Sequence, residues 1–370
     1  MSLSAQALPY VRAISPYQPG KPITELAREM GLPVERIVKL ASNENPLGMS
    51  PSAQAAVAKA LSGVARYPDQ FELIEKLAAH TGLTRQQIVL GNGSNDVLEM
   101  LARVFLAPGR SAVFSQYAFA VYPLATQASG AEGIMVRALD YGHDLAEMLA
   151  AIRPDTRLVW IANPNNPTGN FLPYDEVRAF LENVPPDVVV VLDEAYNEYL
   201  PPAARIDTAA WIAQFPQLVV CRSFSKIYGL AGLRLGYAMA SPEVADLLNR
   251  VRQPFNVNNL ALVAAQAALD DTPFLQASYE LNQAGLAMLV NALSRMGLSH
   301  IPSGGNFLTF RVGDAARVNQ LLLAEGVIVR PLAAYGLHQH LRVSIGTLEE
   351  NARFIAALEK VLEKTAEKGA

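Results

Sequence analysis

The run DVVVVLDEAY, from Asp187 to Tyr196, constrains the fold more than any other stretch of the chain. Four valines and a leucine in a row leave no polar face, so both sides of the segment must be covered. β-Branched residues favour extended backbone, which makes the run a strand rather than a helix turn. Strands apolar on both faces belong in parallel sheets layered between helices. The pattern recurs in QQIVLGNG from Gln86, SAVFSQ from Ser111, TRLVWIANPNNPTG from Thr156 and QLVVCRSFSK from Gln217. Helical patterns alternate with these runs. One is SNDVLEMLARVFL from Ser94, amphipathic and preceded by a capping residue. The fold class expected is α/β: a large domain with a mostly parallel sheet covered by helices, plus a smaller α/β domain.

Length agrees with two domains, because 370 residues exceed the ~250–300 at which single cores split. Residues 1–40 carry prolines and little periodicity in their first half, and read as an arm that packs on something else. Residues 41–255 hold the apolar runs. Residues 256–370 open with alanine- and leucine-rich helices and then carry shorter strands, NFLTFRV from Asn306 and HLRVSIG from His340.

In open parallel sheets ligands sit beyond the carboxyl ends of the strands. The residues just after each apolar run are therefore the candidates for a site. Ser94 and Asn95 stand at a helix start, where orphan N–H groups favour an anion. Asn166 lies in a proline-bounded turn. Asp193 and Tyr196 come directly after the valine run. SFSKIYGLAGLRLG, Ser223 to Gly236, places Ser223, Ser225 and Lys226 after the next run and Arg234 eight residues beyond the lysine. A carboxylate at the end of VVVVL is costly unless it meets a cation. A pyridinium nitrogen is such a partner, and a protonated ring takes up electrons from a carbanion. Lys226 is then the amine that bonds the cofactor's aldehyde. Tyr196 and Asn166 reach a ring oxygen, Tyr117 stacks on the ring, and Ser94, Asn95, Ser223, Ser225 and Arg234 hold a phosphate.

These motifs resemble the fold-type I aminotransferases that use pyridoxal 5′-phosphate. SFSKIYGLAGLRLG, DEAYNEY, NPNNPTG and GNGSND occur in that family's order and spacing, and the likeness spans about Asn43 to Gly346. SPYQPGKP at Ser15, KLASNENPLG at Lys39 and ARYPDQ at Ala65 are similar to the histidinol-phosphate aminotransferase subgroup. One departure is IYGLAGLR, with Ile227 where the family often has alanine; little chemical consequence is expected. The resemblance implies a homodimer in which Tyr67 reaches the partner's cofactor phosphate, and an arm packing with the small domain and the partner. It implies that Arg330 and Arg342 face the substrate's anionic group, with Tyr17 and Glu44 as further substrate contacts. The reaction implied joins L-histidinol phosphate and 2-oxoglutarate to imidazole acetol phosphate and L-glutamate, in histidine biosynthesis. An aromatic amino acid aminotransferase shares every cofactor motif, and a decarboxylase of amino-acid phosphates is a third reading. A non-catalytic binding protein would be free to lose Lys226, Asp193 and Arg234, which are intact.

Composition excludes other classes. Hydrophobic residues make up 51% and charged residues 17%, which suits a packed enzyme rather than a disordered chain. A net charge of −4 with dispersed Lys and Arg suggests neither a nucleic-acid surface nor a membrane patch. No apolar run reaches a membrane span, and no secretory signal pattern is present. Cys221 alone allows no internal disulfide and fits a reducing cytoplasm. The five histidines show no metal-ligand spacing, so no metal is expected and no chemistry is assigned to them.

Overall fold

The structure is a computed structural model that describes residues 2–17 and 20–366. In chain order its strands are β1 (Val38–Lys39), β2 (Ile88–Gly91), β3 (Ser111–Ser115), β4 (Glu132–Val136), β5 (Thr156–Ala162), β6 (Val189–Asp193), β7 (Leu218–Ser223), β8 (Gly236–Met239), β9 (His300–Ile301), β10 (Phe307–Arg311), β11 (Val327–Ile328), β12 (Arg330–Pro331) and β13 (His340–Ser344). The main sheet runs β2-β8-β7-β6-β5-β3-β4. Strands β3 to β7 pair in parallel, and β8 is antiparallel to both its neighbours.

The valine run explains itself in this sheet. Val188, Val190 and Leu192 join one apolar cluster, and Val189 and Val191 join the other. Side chains alternate across a strand, so a segment with helices on both faces needs apolar residues at every position. Each buried Val or Leu contributes roughly 1.5–3 kcal/mol. Cys221 is fully buried in the second cluster.

The smaller domain is built on the antiparallel sheet β12-β13-β10-β9. Leu308, Phe310, Val343, Phe354 and Leu358 form its core with the helices Thr272–Arg295, Ala315–Ala324 and Leu348–Ala366. The N-terminal segment is tied to this domain by the parallel pair β1–β11 and by Leu26, Ile37 and Ala41 packed with Ile328. Helix Pro9–Arg12 instead lies beside the large domain, where the Tyr10 carbonyl accepts a bond from Gln127.

Packing departs from the sequence-based boundary at residue 255. Helix Asn259–Asp270 buries Ala261, Leu262, Ala265 and Leu269 in the same cluster as β6 and β7. Its successor, Thr272–Arg295, leans Leu275 and Tyr279 on that cluster and buries Leu289 and Leu293 in the small-domain core. We propose that the division falls inside this long helix. Alanine-rich helices read alike in either domain, so composition does not mark the change. Among the described residues no helix is long and apolar enough to cross a membrane, and no His, Cys, Asp and Glu cluster could hold a metal ion.

Candidate active site

A cavity of about 330 Å³ opens at the carboxyl ends of β5, β6 and β7, facing the small domain. From the large domain Ser94, Asn95, Asn166, Asp193, Tyr196, Ser223, Ser225, Lys226 and Arg234 line it. Tyr17 and Glu44 enter from the N-terminal segment, and Arg330 and Arg342 from the small domain.

The floor is a buried carboxylate. Asp193 ends β6 and is 6% exposed. Its Oδ2 accepts from the Tyr122 hydroxyl at 2.8 Å, and its Oδ1 from the Ala195 N–H at 3.2 Å. Burial pushes the Asp193 carboxyl up to about 6, opposed by those two bonds and by the charge of Lys226. Tyr122 is fully buried and stacks flat on Trp160, with ring centroids 5.2 Å apart. Burial and the neighbouring Asp193 raise the Tyr122 phenol far above its ordinary range, so it stays a donor.

Above the floor stand an amine and a phenol. Lys226 Nζ lies 5.4 Å from the Tyr196 ring centroid. The Tyr196 hydroxyl accepts from Asn43 Nδ2 at 3.0 Å. Asn43 adopts φ +55°, which asparagine tolerates better than most residues. Its N–H donates to Ser344 Oγ at 2.8 Å, so one residue joins the large-domain phenol to β13.

One end of the cavity is a cradle for an anion. Helix Ser94–Phe105 begins after Gly93 at φ +83°. The capping residue in front of this helix is Gly93, which has no side chain to bond the first N–H groups, and Ser94 and Asn95 at the helix start line the cavity. The Arg234 guanidinium lies so close that a Cβ on Gly93 would sit 2.2 Å from Nη2. A Cβ on Gly236 would meet the Ser94 nitrogen at 2.3 Å. Glycine at both positions lets β8, the arginine and the helix start converge. Arg234 also bonds Ser225 Oγ at 3.4 Å and the Ala231 carbonyl at 2.9 Å.

The opposite wall holds two buried cations. Arg330 and Arg342 are direct cross-strand partners on β12 and β13, 8% and 6% exposed. Neither forms an ion pair with a carboxylate of the described residues. Arg342 donates from Nη1 to Asn166 Oδ1 and from Nη2 to the Ala41 carbonyl at 2.9 Å, while its Nε–H is buried without a partner. Burial pulls the Arg342 guanidinium below its ordinary value. Like charges placed opposite each other destabilise a sheet, and a bound anion reverses the sign of that term. The bond to Arg342 also fixes the Asn166 amide, whose oxygen must face the guanidinium and whose NH₂ is left as a donor.

Two expected residues lie elsewhere. Tyr117 packs against Tyr141, with centroids 5.9 Å apart, and does not line the cavity. Phe119, two residues on, does. The turn after β3 swings the first aromatic away and the second in. Tyr67 is 79% exposed, stacked on the exposed Phe255 at 4.4 Å, and outside this chain's cavity. Glu44 lines the cavity, but its carboxylate pairs with Lys39 at 3.3 Å. Sequence reasoning missed Phe119, Tyr122, Asn43 and Tyr335, all of which line the cavity.

Residues 35–358 match the family described as aminotransferase class I and II. The chain belongs to that family. It is 73% identical over 362 residues to histidinol-phosphate aminotransferase 1 of Dechloromonas aromatica (strain RCB), covering 98% of this chain and 100% of the relative. It is 63% identical over 361 residues to histidinol-phosphate aminotransferase 1 of Thiobacillus denitrificans (strain ATCC 25259 / T1), covering 97% and 94%. The crystal structure of histidinol-phosphate aminotransferase from Sinorhizobium meliloti in complex with pyridoxal-5′-phosphate superposes with a TM-score of 0.89 at 27% identity, covering 98% of each chain. The fold is that of the fold-type I transferases, as expected. The cofactor of this aminotransferase is pyridoxal 5′-phosphate. The residues present fit it: a cradle that a Cβ would fill, a buried carboxylate with no salt bridge, and a lysine lining the same cavity.

Proposed function

We propose that this aminotransferase joins L-histidinol phosphate and 2-oxoglutarate to imidazole acetol phosphate and L-glutamate, a step of histidine biosynthesis. Close relatives carry that activity in their names. The observation that carries the substrate reading is the cross-strand pair Arg330 and Arg342, buried in the small-domain wall of the cavity with no carboxylate partner among the described residues. An amine substrate with its own phosphate supplies the missing anion there, and glutamate supplies carboxylates in the other half-reaction.

Bound pyridoxal 5′-phosphate supplies an aldehyde carbon and a protonated ring that takes up electrons. The chain does the rest. Ser94, Asn95, Ser223, Ser225 and Arg234 anchor the phosphate. Asp193 keeps a negative charge on the far side of the ring. Phe119 lines the cavity where it would cover the cofactor's ring, and Tyr196 and Asn166 carry the donors that would meet a ring oxygen. Lys226 would hold the cofactor's aldehyde carbon, and its amine lines the cavity where it could take the proton from the substrate Cα. Arg330 and Arg342, with Tyr17 and Glu44 at the rim, orient the substrate so that this proton points at Lys226.

The proposal includes a homodimer in the cytoplasm. Tyr67 and Phe255 form an exposed aromatic pair that a second copy would cover, bringing Tyr67 to the partner's phosphate cradle. Side-by-side turnover tests the substrate reading. Histidinol phosphate is expected to be consumed with 2-oxoglutarate far faster than phenylalanine or tyrosine. Preference for phenylalanine would make the chain an aromatic aminotransferase. Carbon dioxide released from a phosphorylated amino acid without a keto acid would make it a decarboxylase.

A further inference from the structure

Among the described residues Asp193 is the one carboxylate on the cavity floor, and two hydrogen bonds hold it. One comes from the backbone of its own loop. The other comes from Tyr122, on helix Val121–Ala128, whose Tyr122 and Ala125 pack in the second apolar cluster. Tyr122 is costly as plain packing. A phenol with no exposed surface needs a polar partner, and a phenylalanine would fill the same space against Trp160 without one. Trp160 in turn is held by Thr126 of the same helix at 3.3 Å. The stack fixes the direction of the Tyr122 hydroxyl, and the hydroxyl fixes Oδ2.

We propose that Tyr122 is a positioning residue for the reaction: its hydroxyl aims the Asp193 carboxylate at the cofactor's ring nitrogen and favours its ionised form. The inference rests on pyridoxal 5′-phosphate being the cofactor. Other charged or titratable groups around Asp193 do not substitute for Tyr122. Lys226 favours the ionised carboxylate from the cavity side, but it is engaged once the cofactor is bound. Glu194, next in the loop, opposes ionisation. Cys221, paired with Asp193 across β7, is a buried thiol whose ionisation burial suppresses. His143, bonded to the Ala162 carbonyl on the β5 side, is pushed by burial down to about 4 and stays neutral. Tyr196 turns its hydroxyl to Asn43. Tyr122 is thus the side-chain donor on this acid.

Charge sets the sign of the effect. A donor that favours the carboxylate lowers the pH at which Asp193 becomes ionised. Without it, the acid stays protonated to higher pH and pairs poorly with a charged ring nitrogen. The test uses the cofactor-free full chain titrated with pyridoxal 5′-phosphate between about pH 5.5 and 8.5, with binding read from protein fluorescence. Tyr122→Phe is expected to bind about tenfold more weakly than wild type near pH 6, with the gap narrowing towards the alkaline end. With the deaza analogue, which lacks the ring nitrogen, Tyr122→Phe and wild type are expected to bind alike. A loss of equal size at every pH, or an equal loss with the analogue, would mean that Tyr122 only packs and would overturn the inference. 3-Fluorotyrosine at position 122, a stronger donor of nearly the same shape, keeps the test open if the phenylalanine variant does not fold. It is expected to move the binding profile to lower pH, and an unmoved profile overturns the inference. Wild type that binds neither compound would overturn the cofactor reading itself, a result distinct from either of these.

Discussion

The large-domain floor of the cavity buries a carboxylate, whereas the small-domain wall buries two guanidiniums. Asp193 is held on both oxygens by groups of its own domain, Tyr122 and the Ala195 N–H. Arg342 reaches across to Asn166 of the large domain, bonds the Ala41 carbonyl of the N-terminal segment, and leaves its Nε–H unpaired. The contrast separates the tasks of the two walls. A charge locked within one domain suits a resident group that stays through every turnover. A charge that bridges segments and is partly unsatisfied suits anions that arrive and leave. Both charges cost stability in the empty protein, and each is answered by a ligand of opposite sign.

The largest expected effect is on the floor. Asp193 has an ordinary value near 4 in the unfolded chain and about 6 in the cofactor-free fold. The folded state therefore holds this proton more tightly, and stability from this group is lost as pH rises through that window. Asp193→Asn removes the penalty. The cofactor-free variant is expected to be more stable than wild type by about 3 kcal/mol near pH 7.5 and by little near pH 4, while losing most turnover. Denaturant unfolding at the two pH values checks this. A gain of the same size at both would mean that the carboxylate's charge is not the cause.

Next is the wall. Arg342→Ala is expected to lower kcat/KM in both half-reactions by roughly tenfold to a hundredfold, since charged hydrogen bonds are worth about 1.5–3 kcal/mol. Cofactor affinity should fall by less than kcat/KM, through the loosened Asn166 amide alone. Single-turnover measurements with glutamate and with histidinol phosphate separate the two halves. A loss confined to one half would mean that the two substrates use different anchors. The smallest effect is in the cradle. Gly93→Ala forces a Cβ against Arg234 at a backbone φ of +83°. Pyridoxal 5′-phosphate is expected to bind about tenfold more weakly, with substrate KM preserved. A change in KM instead would erase the distinction between the two ends.

Much of the floor was legible in the sequence because buried parallel strands write themselves as unbroken apolar runs. The residue that ends such a run must be at the sheet's edge, which places Asp193, Lys226 and Asn166 from pattern alone. The wall arginines needed the family resemblance, since an arginine in a short strand has no distinctive pattern. Tyr117 packs on Tyr141 outside the cavity because the segment after β3 is a turn. Period-two or helical reasoning does not decide which of Tyr117 and Phe119 points inward. Tyr122 was invisible for the opposite reason: an aromatic on a helix beside a sheet reads as core, which it also is. Asn43 was overlooked beside the charged Glu44, yet its left-handed backbone is what turns its amide to Tyr196. A boundary at residue 255 is hard to read because helix Asn259–Asp270 has the composition of the small domain and packs in the large-domain cluster.

The decisive measurement is chemical. Borohydride treatment of the pyridoxal 5′-phosphate-loaded protein, followed by peptide mass mapping, reports which amine the cofactor is joined to. One modified peptide is expected, carrying Lys226. Stable modification of another lysine, with Lys226 recovered intact, would contradict it.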